Sequence, residues 1–416
     1  MRHFYIILLL ILSGMAAAEA QNLKVGAAMR DITPDPLLPV SGGVGIPRPA
    51  HTQKGNLTVR AMVLIRGEEK IAIVGIDNLG WPAVLGDESR KRIPRIPPNH
   101  ILIGATHTHS APDAYGFPDE NGQRTWDPSY LEYCIQQIAD AVNEALDQAQ
   151  PASLKIAVDK AEGKIAYNYY APALYDPRCG VIQAVSLQDN QVIATLVNYA
   201  IHPEVIGPKQ GILSPDLCGP LYDRIESKAG GIALFMNGAQ GGMVTADNRR
   251  SQGKEELTWE ECQRIGHLLA DEALRIVEPA PPMKDPHVQI RTREVKFPVT
   301  SPLMQQIMDG TGFGSQDENG YFVSTVLAML DIGTARILTI PGEALPNIGY
   351  YLKRKMNTPH AFVFGLTNDA YGYILTKEDF DSFERYEYIS RTSLGEYTGE
   401  ILIETYIDFL NRHPRP

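Results

Sequence analysis

Apolar residues recur at helical spacing in two long stretches and alternate or run together in several short ones. Leu131, Cys134, Ile135, Ile138, Val142, Ala145 and Leu146 keep to one face of a 3.6-residue period. Cys262, Ile265, Leu269, Ala273 and Ile276 do the same across 259–277. Both stretches predict amphipathic helices. Strands are predicted at 59–66 and 71–77, joined by the turn Gly67-Glu68-Glu69-Lys70, and again at 100–106, 181–187, 192–199 and 232–236. A Pro-rich spacer, E-P-A-P-P-M-K-D-P at 278–286, follows. Because strands resume beyond it at 288, 325–330, 335–340 and 361–366, it is expected to cross the surface of one domain. The Gly-rich polar stretch 309–320 has neither periodicity nor apolar content and is expected to be a mobile loop. The alternation predicts an α/β fold of mixed sheets with flanking helices.

Composition narrows the possibilities. At 44% hydrophobic and 21% charged, the 416 residues suit a folded globular protein, with length enough for two or three domains of about 150 residues. The formal net charge of −11 opposes phosphate neutralisation, so no nucleic-acid partner is expected, and broad attraction to anionic membranes is disfavoured. Residues 1–20 have the form of an export signal: Arg2 and His3, an apolar run at 4–12, and a small-residue exit ending Ala18-Glu19-Ala20. No later run is long and apolar enough for a membrane helix. The expected product is therefore residues 21–416, exported to the periplasm or secreted. The four cysteines include no C-x-x-C pair, and a core of this size needs no disulfide.

The most informative histidines are His107 and His109 in A-T-H-T-H-S, directly after an apolar strand. Residues i and i+2 of extended backbone project from one face, and ligands of open α/β sheets sit beyond the carboxyl ends of strands. The pair is either a metal or catalytic site or two hydrogen-bonded structural histidines. Three further polar clusters follow strands: His202 in N-Y-A-I-H-P-E-V, Glu343 in I-P-G-E, and N-D-A-Y-G-Y at 368–373. Singly, each has a bland explanation, a loop histidine or a helix N-terminal carboxylate. Together they form a mixed His/carboxylate set suited to Zn²⁺.

These motifs resemble the catalytic domain of the neutral/alkaline non-lysosomal ceramidases. The resemblance begins near K-V-G-A-A-M-R-D-I-T-P at 24–34. It is carried by A-T-H-T-H-S-A-P at 105–112, N-Y-A-I-H-P at 198–203, F-M-N-G-A-Q-G-G at 235–242, I-P-G-E at 340–343 and L-T-N-D-A-Y-G-Y at 366–373. It implies a single zinc held by His107, His202, Glu343 and Tyr373, with His109 as proton-transferring or substrate-orienting group. Tyr386, in R-Y-E, is implied to assist at the amide oxygen.

Two family features differ here. The Ser of a G-D-V-S-P type motif falls on Val244 in G-G-M-V-T-A-D, with Gly242 in place of the Asp and Thr245 one residue late; the family's Asn-Arg pair reads Asn168-Tyr169. Its C-terminal immunoglobulin-like domain has no counterpart in this sequence. The segment at 117–127 is polar and charged, which speaks against an apolar approach for a lipid such as ceramide. The candidate ligands run from His107 to Tyr373, so one large catalytic domain is expected. The expected function is an exported zinc-dependent hydrolase of a small-molecule amide (N-acyl) or ester, using metal-activated water. The alternatives are a metal-retaining binding protein without turnover, and Thr245 acting as nucleophile.

Overall fold

Along the strand Thr58–Arg66, Val59, Ala61 and Val63 point to one face and Met62 and Leu64 to the other, and all five are buried. A strand apolar on both faces needs a cover on each. The computed structural model, which describes residues 23–250, 253–309 and 311–415, shows what the covers are. The presumed export signal lies outside the described residues.

Eight strands form the first sheet: β1 (Lys24–Asp31), β2 (Thr58–Arg66), β3 (Glu69–Ile76), β4 (Ile101–Ala105), β5 (Gln150–Lys160), β6 (Arg178–Ser186), β7 (Val192–Tyr199) and β8 (Ile232–Asn237). Their spatial order is β8-β7-β6-β5-β1-β2-β3-β4. The inner pairs are antiparallel, whereas the outermost, β7 with β8 and β3 with β4, are parallel. A second sheet holds β9 (Val288–Pro298), β10 (Ser315–Asp317), β11 (Gly320–Ile332), β12 (Ala335–Thr339) and β13 (His360–Phe364), ordered β9-β11-β12-β13 with β10 beside β11. Parallel pairs need crossovers. Helices α1 (Ala83–Lys91), α3 (Cys218–Ala229) and α6 (Pro346–Lys355) supply them for β3/β4, β7/β8 and β12/β13.

The molecule has four layers. On the outer face of the first sheet, α2 (Pro128–Asp147) covers Val59, Ala61, Val74 and Ile76, while α3 and α4 (Trp259–Val277) cover Val181, Val197 and Phe235. The sheets face each other through Leu64, Ile73 and Leu196 from the first and Leu330, Ile337 and Phe362 from the second. Outside the second sheet lie α5 (Pro302–Met308), α6 and α8 (Thr398–Arg412), packed on Leu327, Met329 and Leu338. The expected mixed-sheet α/β architecture in one domain is present.

Two expectations change. The stretch 309–320 is not simply a loop, because Ser315–Asp317 pairs with the start of β11 across the two-residue turn Glu318-Asn319, with Gly320 at positive φ (116°) opening the strand, a hairpin that the local polarity obscured. The β2–β3 turn is shorter than four residues, since Glu69 already pairs with Arg66. The Pro-rich spacer is pinned to the first sheet, with Met283 and Leu154 exchanging backbone hydrogen bonds of 2.8 and 2.9 Å. All four cysteines are buried and unpaired.

The first sheet wraps until its two edges meet. A Cβ on Gly75 of β3 would lie 2.9 Å from the Phe235 carbonyl oxygen of β8. The fully buried Asn237, at the end of β8, closes the seam: its Nδ2 donates to Thr106 O (3.0 Å) and Ile201 O (2.8 Å), and its Oδ1 accepts from Ile201 N. Thr106 and Ile201 immediately precede His107 and His202.

Candidate metal centre

Each parallel pair ends in a loop at this seam. His107 follows β4, His202 follows β7, and Glu343 follows β12, so the three crossovers deliver their residues to one end of the molecule, as expected for sites beyond strand carboxyl ends. The turn after β12 approaches the Gly-rich segment closely: a Cβ on Gly241 would sit 2.1 Å from the Glu343 carbonyl oxygen, so only glycine fits there. Backbone strain concentrates here. Of eight non-glycine residues with positive φ among the described residues, His107 (73°), Met243 (70°), Leu366 (47°) and Asn368 (68°) lie in these loops. Such conformations cost about 1–3 kcal/mol each and persist where surrounding structure imposes them.

The imidazoles converge. His107, His109 and His202 have ring centroids 4.7, 4.8 and 5.6 Å apart, and their candidate ligand atoms all lie within 4.8 Å of one another. His107 Nε2 is 3.2 Å from His109 Nε2 and 3.4 Å from Glu343 Oε2, which is in turn 3.1 Å from His202 Nε2. The opposite ring nitrogens are each held from outside: His107 Nδ1 by Leu79 O (2.6 Å), His202 Nδ1 by Val244 O (2.8 Å), and His109 Nδ1 beside Glu204 Oε2 (3.4 Å). A ring whose Nδ1–H faces a carbonyl or carboxylate presents the lone pair of Nε2 inward, the usual orientation of metal-ligating histidine.

The donor set fits a zinc-sized ion. Bonds of about 2.0–2.1 Å in a tetrahedron set neighbouring ligands about 3.3 Å apart. Three of the six separations among the four donor atoms, 3.1, 3.2 and 3.4 Å, bracket that length, and the histidine donors spread to no more than 4.8 Å. Charge is matched as well. Burial opposes ionisation of Glu343, but the adjacent His107 and His202 outweigh it and hold the carboxyl well below its usual range. Burial also opposes charge on His202, yet the hydrogen bond to Glu343 and the charges of Glu204 and Glu343 raise it to about 9. His109 is driven well below its ordinary value by burial and then by His107 and His202. The buried group His107, His109 and His202 can therefore hold a metal ion, and Glu343 adds an anionic donor to it.

Beside the cluster lies a cavity whose lining includes His107, His109, Glu343, Tyr115, Tyr373 and Tyr388. Glu343 and Tyr373 are register partners in a short parallel pair, which brings Tyr373 to the cavity, where its hydroxyl lies 3.3 Å from Met243 Sδ. Tyr386 is not brought there. Its ring packs on Tyr170 and Phe383, and helix α7 (Glu387–Arg391) turns Tyr388 to the cavity instead. Thr245 pairs with Tyr167 and lines a separate depression with Tyr169 and Glu204. Glu204 and Tyr388 escaped the sequence analysis. The only trace of Glu204 is its place two residues after His202.

The fold has solved counterparts. The crystal structure of neutral ceramidase from Pseudomonas aeruginosa matches with a TM-score of 0.73 at 15% identity, over 95% of this chain and 76% of that one. The chain has a neutral-ceramidase-like fold. A ceramidase structure complexed with C2 matches it with the same TM-score, identity and coverage. No family model matches the sequence, and no curated protein does. At this identity the likeness to neutral ceramidase is one of fold, and the chemistry rests on the residues just described.

Proposed function

We propose that the protein is an exported zinc-dependent hydrolase of an amide or ester bond. The observation that carries this is the convergence of three Nε2 atoms and Glu343 Oε2, each histidine fixed from behind. His107, His202 and Glu343 would hold the ion. The 3.2 Å separation from His107 supports His109 as a further donor in preference to a proton carrier. Tyr373 stays in the cavity wall, at the edge of the donor set. A zinc ion there supplies Lewis acidity toward a carbonyl and acidifies water near neutral pH.

The protein's own contribution is a ring of phenols. Burial, followed by the charge of Glu343, raises Tyr115 and Tyr373 well above the usual phenol range, and Tyr388 to about 12. All three therefore stay protonated at neutral pH and can donate hydrogen bonds. Phenol donors lining the cavity beside the donor set suit an oxygen that gains negative charge, the term that usually contributes most to acyl-transfer catalysis. Thr245 gains no support as nucleophile because it opens on a different surface. Export is supported by the form of residues 1–20, and no helix among the described residues is long and apolar enough to cross a membrane.

His107→Ala tests the assignment. It is expected to lose both stoichiometric zinc, measured by metal analysis, and chelator-sensitive turnover of an N-acyl and ester panel. Retention of full metal content would defeat the ligand set. Stoichiometric metal in the unmodified protein with no turnover of any panel member would favour a binding protein.

A further inference from the structure

Resting on that hydrolase reading, we propose that the site selects a short, uncharged acyl group of about two to four carbons, with Phe117, Met304 and Ile307 setting the limit. The cavity beside the histidines has a volume of about 60 Å³. An apolar cavity of about 150 Å³ takes one benzene ring, so this one has room for fewer carbons than that. A carbonyl and a few methylenes fill it, and a long fatty chain does not fit.

The wall facing the catalytic cluster is apolar and shut. Leu79, Phe117, Met304 and Ile307 line it, all nearly inaccessible to solvent, and they belong to the core outside the second sheet. Among the described residues, Glu343 is the only carboxylate on the cavity surface, and no Lys or Arg lines it. An acyl group carrying its own charge would find no counter-ion there.

The wall is also held rigid. The Asp113 carboxylate accepts from Tyr115 N (2.8 Å), Phe117 N (3.0 Å) and Thr125 Oγ1 (2.7 Å). The Tyr115 and Phe117 rings stack at 5.1 Å. Arg124 donates to Gly116 O (2.8 Å), Ile307 O (3.1 Å) and Asp309 O, bolting this loop to the C-terminal end of α5. The polar side chains of 117–127 are thus partly spent on holding the wall, and Phe117 forms part of it. Forcing extra methylenes into such a packed boundary carries an overpacking penalty. The other side is open: Gly43, Val44 and Tyr388 form it, with Val44 41% and Tyr388 40% exposed, the Tyr388 hydroxyl being the buried part of its side chain. The alcohol or amine half of a substrate therefore extends into solvent, where its size is unrestricted.

The test is a series of straight-chain hydroxamates, acetohydroxamate to octanohydroxamate, titrated calorimetrically into the zinc-loaded protein, alongside turnover of p-nitrophenyl esters of the same chain lengths. Affinity is expected to be greatest at about two to four carbons and to fall about tenfold or more by octanohydroxamate. Met304→Ala and the milder Ile307→Val should move the cut-off to longer chains. Affinity that instead climbs roughly fourfold per methylene through octanohydroxamate, or absence of binding by every member, overturns the proposal. A hydroxamate cut-off with no ester hydrolysed leaves the pocket standing and defeats the hydrolase assignment. Hydrolysis with affinity that climbs with chain length does the reverse.

Discussion

At the residue scale, the roles turn on which atom of each side chain faces inward. The Glu204 carboxylate sits beside the outer nitrogen of His109, so it is a positioning residue whose loss should be felt through the metal. Glu204→Gln is expected to weaken zinc binding by about 10–100-fold in a chelator competition, with little change in the stability of the metal-free protein. Tyr388 and Tyr386 separate the geometric assignment from the one based on sequence resemblance. Tyr388→Phe is expected to lower kcat about 10²-fold at unchanged zinc content, whereas Tyr386→Phe should cost far less, since its ring faces Tyr170 and Phe383. The pH behaviour of the metal-free protein follows from His202. Its value rises on folding from 6.5 to about 9, so the stability it contributes is full below pH 6.5 and is lost as pH climbs through 9. A bound zinc ion would take the place of that proton. Urea unfolding from pH 7 to 10 should show the loss in chelator-treated protein and much less of it in loaded protein.

At the element scale, much was legible from hydrophobic period. The stretches 192–199 and 259–277 carry their pattern to the ends of the elements observed, and His107, His202 and Glu343 stood out because each follows an apolar strand. The period of a strand reveals that both faces are buried and says nothing about what buries them. The second sheet behind Met62 and Leu64, and the seam between β4 and β8, were therefore beyond reach. Asn237 was visible within F-M-N-G-A-Q-G-G, but its bonds to Thr106 and Ile201 exist only once the sheet has wrapped. Glu204 and Tyr388 were hidden for the same reason: their partners are distant in sequence. Asn237→Ala leaves two buried carbonyls and one amide unpartnered, and is expected to cost about 1–3 kcal/mol in urea unfolding together with a measurable loss of zinc affinity.

Across the whole molecule, the two sheets are tied by more than apolar contact. Asp176, ahead of β6, is buried against Lys353 Nζ of α6 (2.9 Å) and Arg178 Nε (2.7 Å). Burial pushes the Asp176 carboxyl up, but Lys353 and Arg178 prevail and bring it down to about 2. Its contribution is present above the ordinary value of 3.8 and is lost as pH falls through 2. Removing the carboxylate would leave Lys353 charged, buried and alone. Asp176→Ala is expected to cost about 3–5 kcal/mol and to flatten the acid limb of the stability curve, measured by unfolding between pH 2 and 6.

The order in which the seam closes has a temporal consequence. His107, His202 and Glu343 are strung over more than half of the sequence, and they meet only after the second sheet has docked on the first. Metal capture would then be among the last events of maturation rather than a seed for it. A chain folding after export would collect its ion from the surroundings it is delivered into, and the metals present there would decide which one it carries.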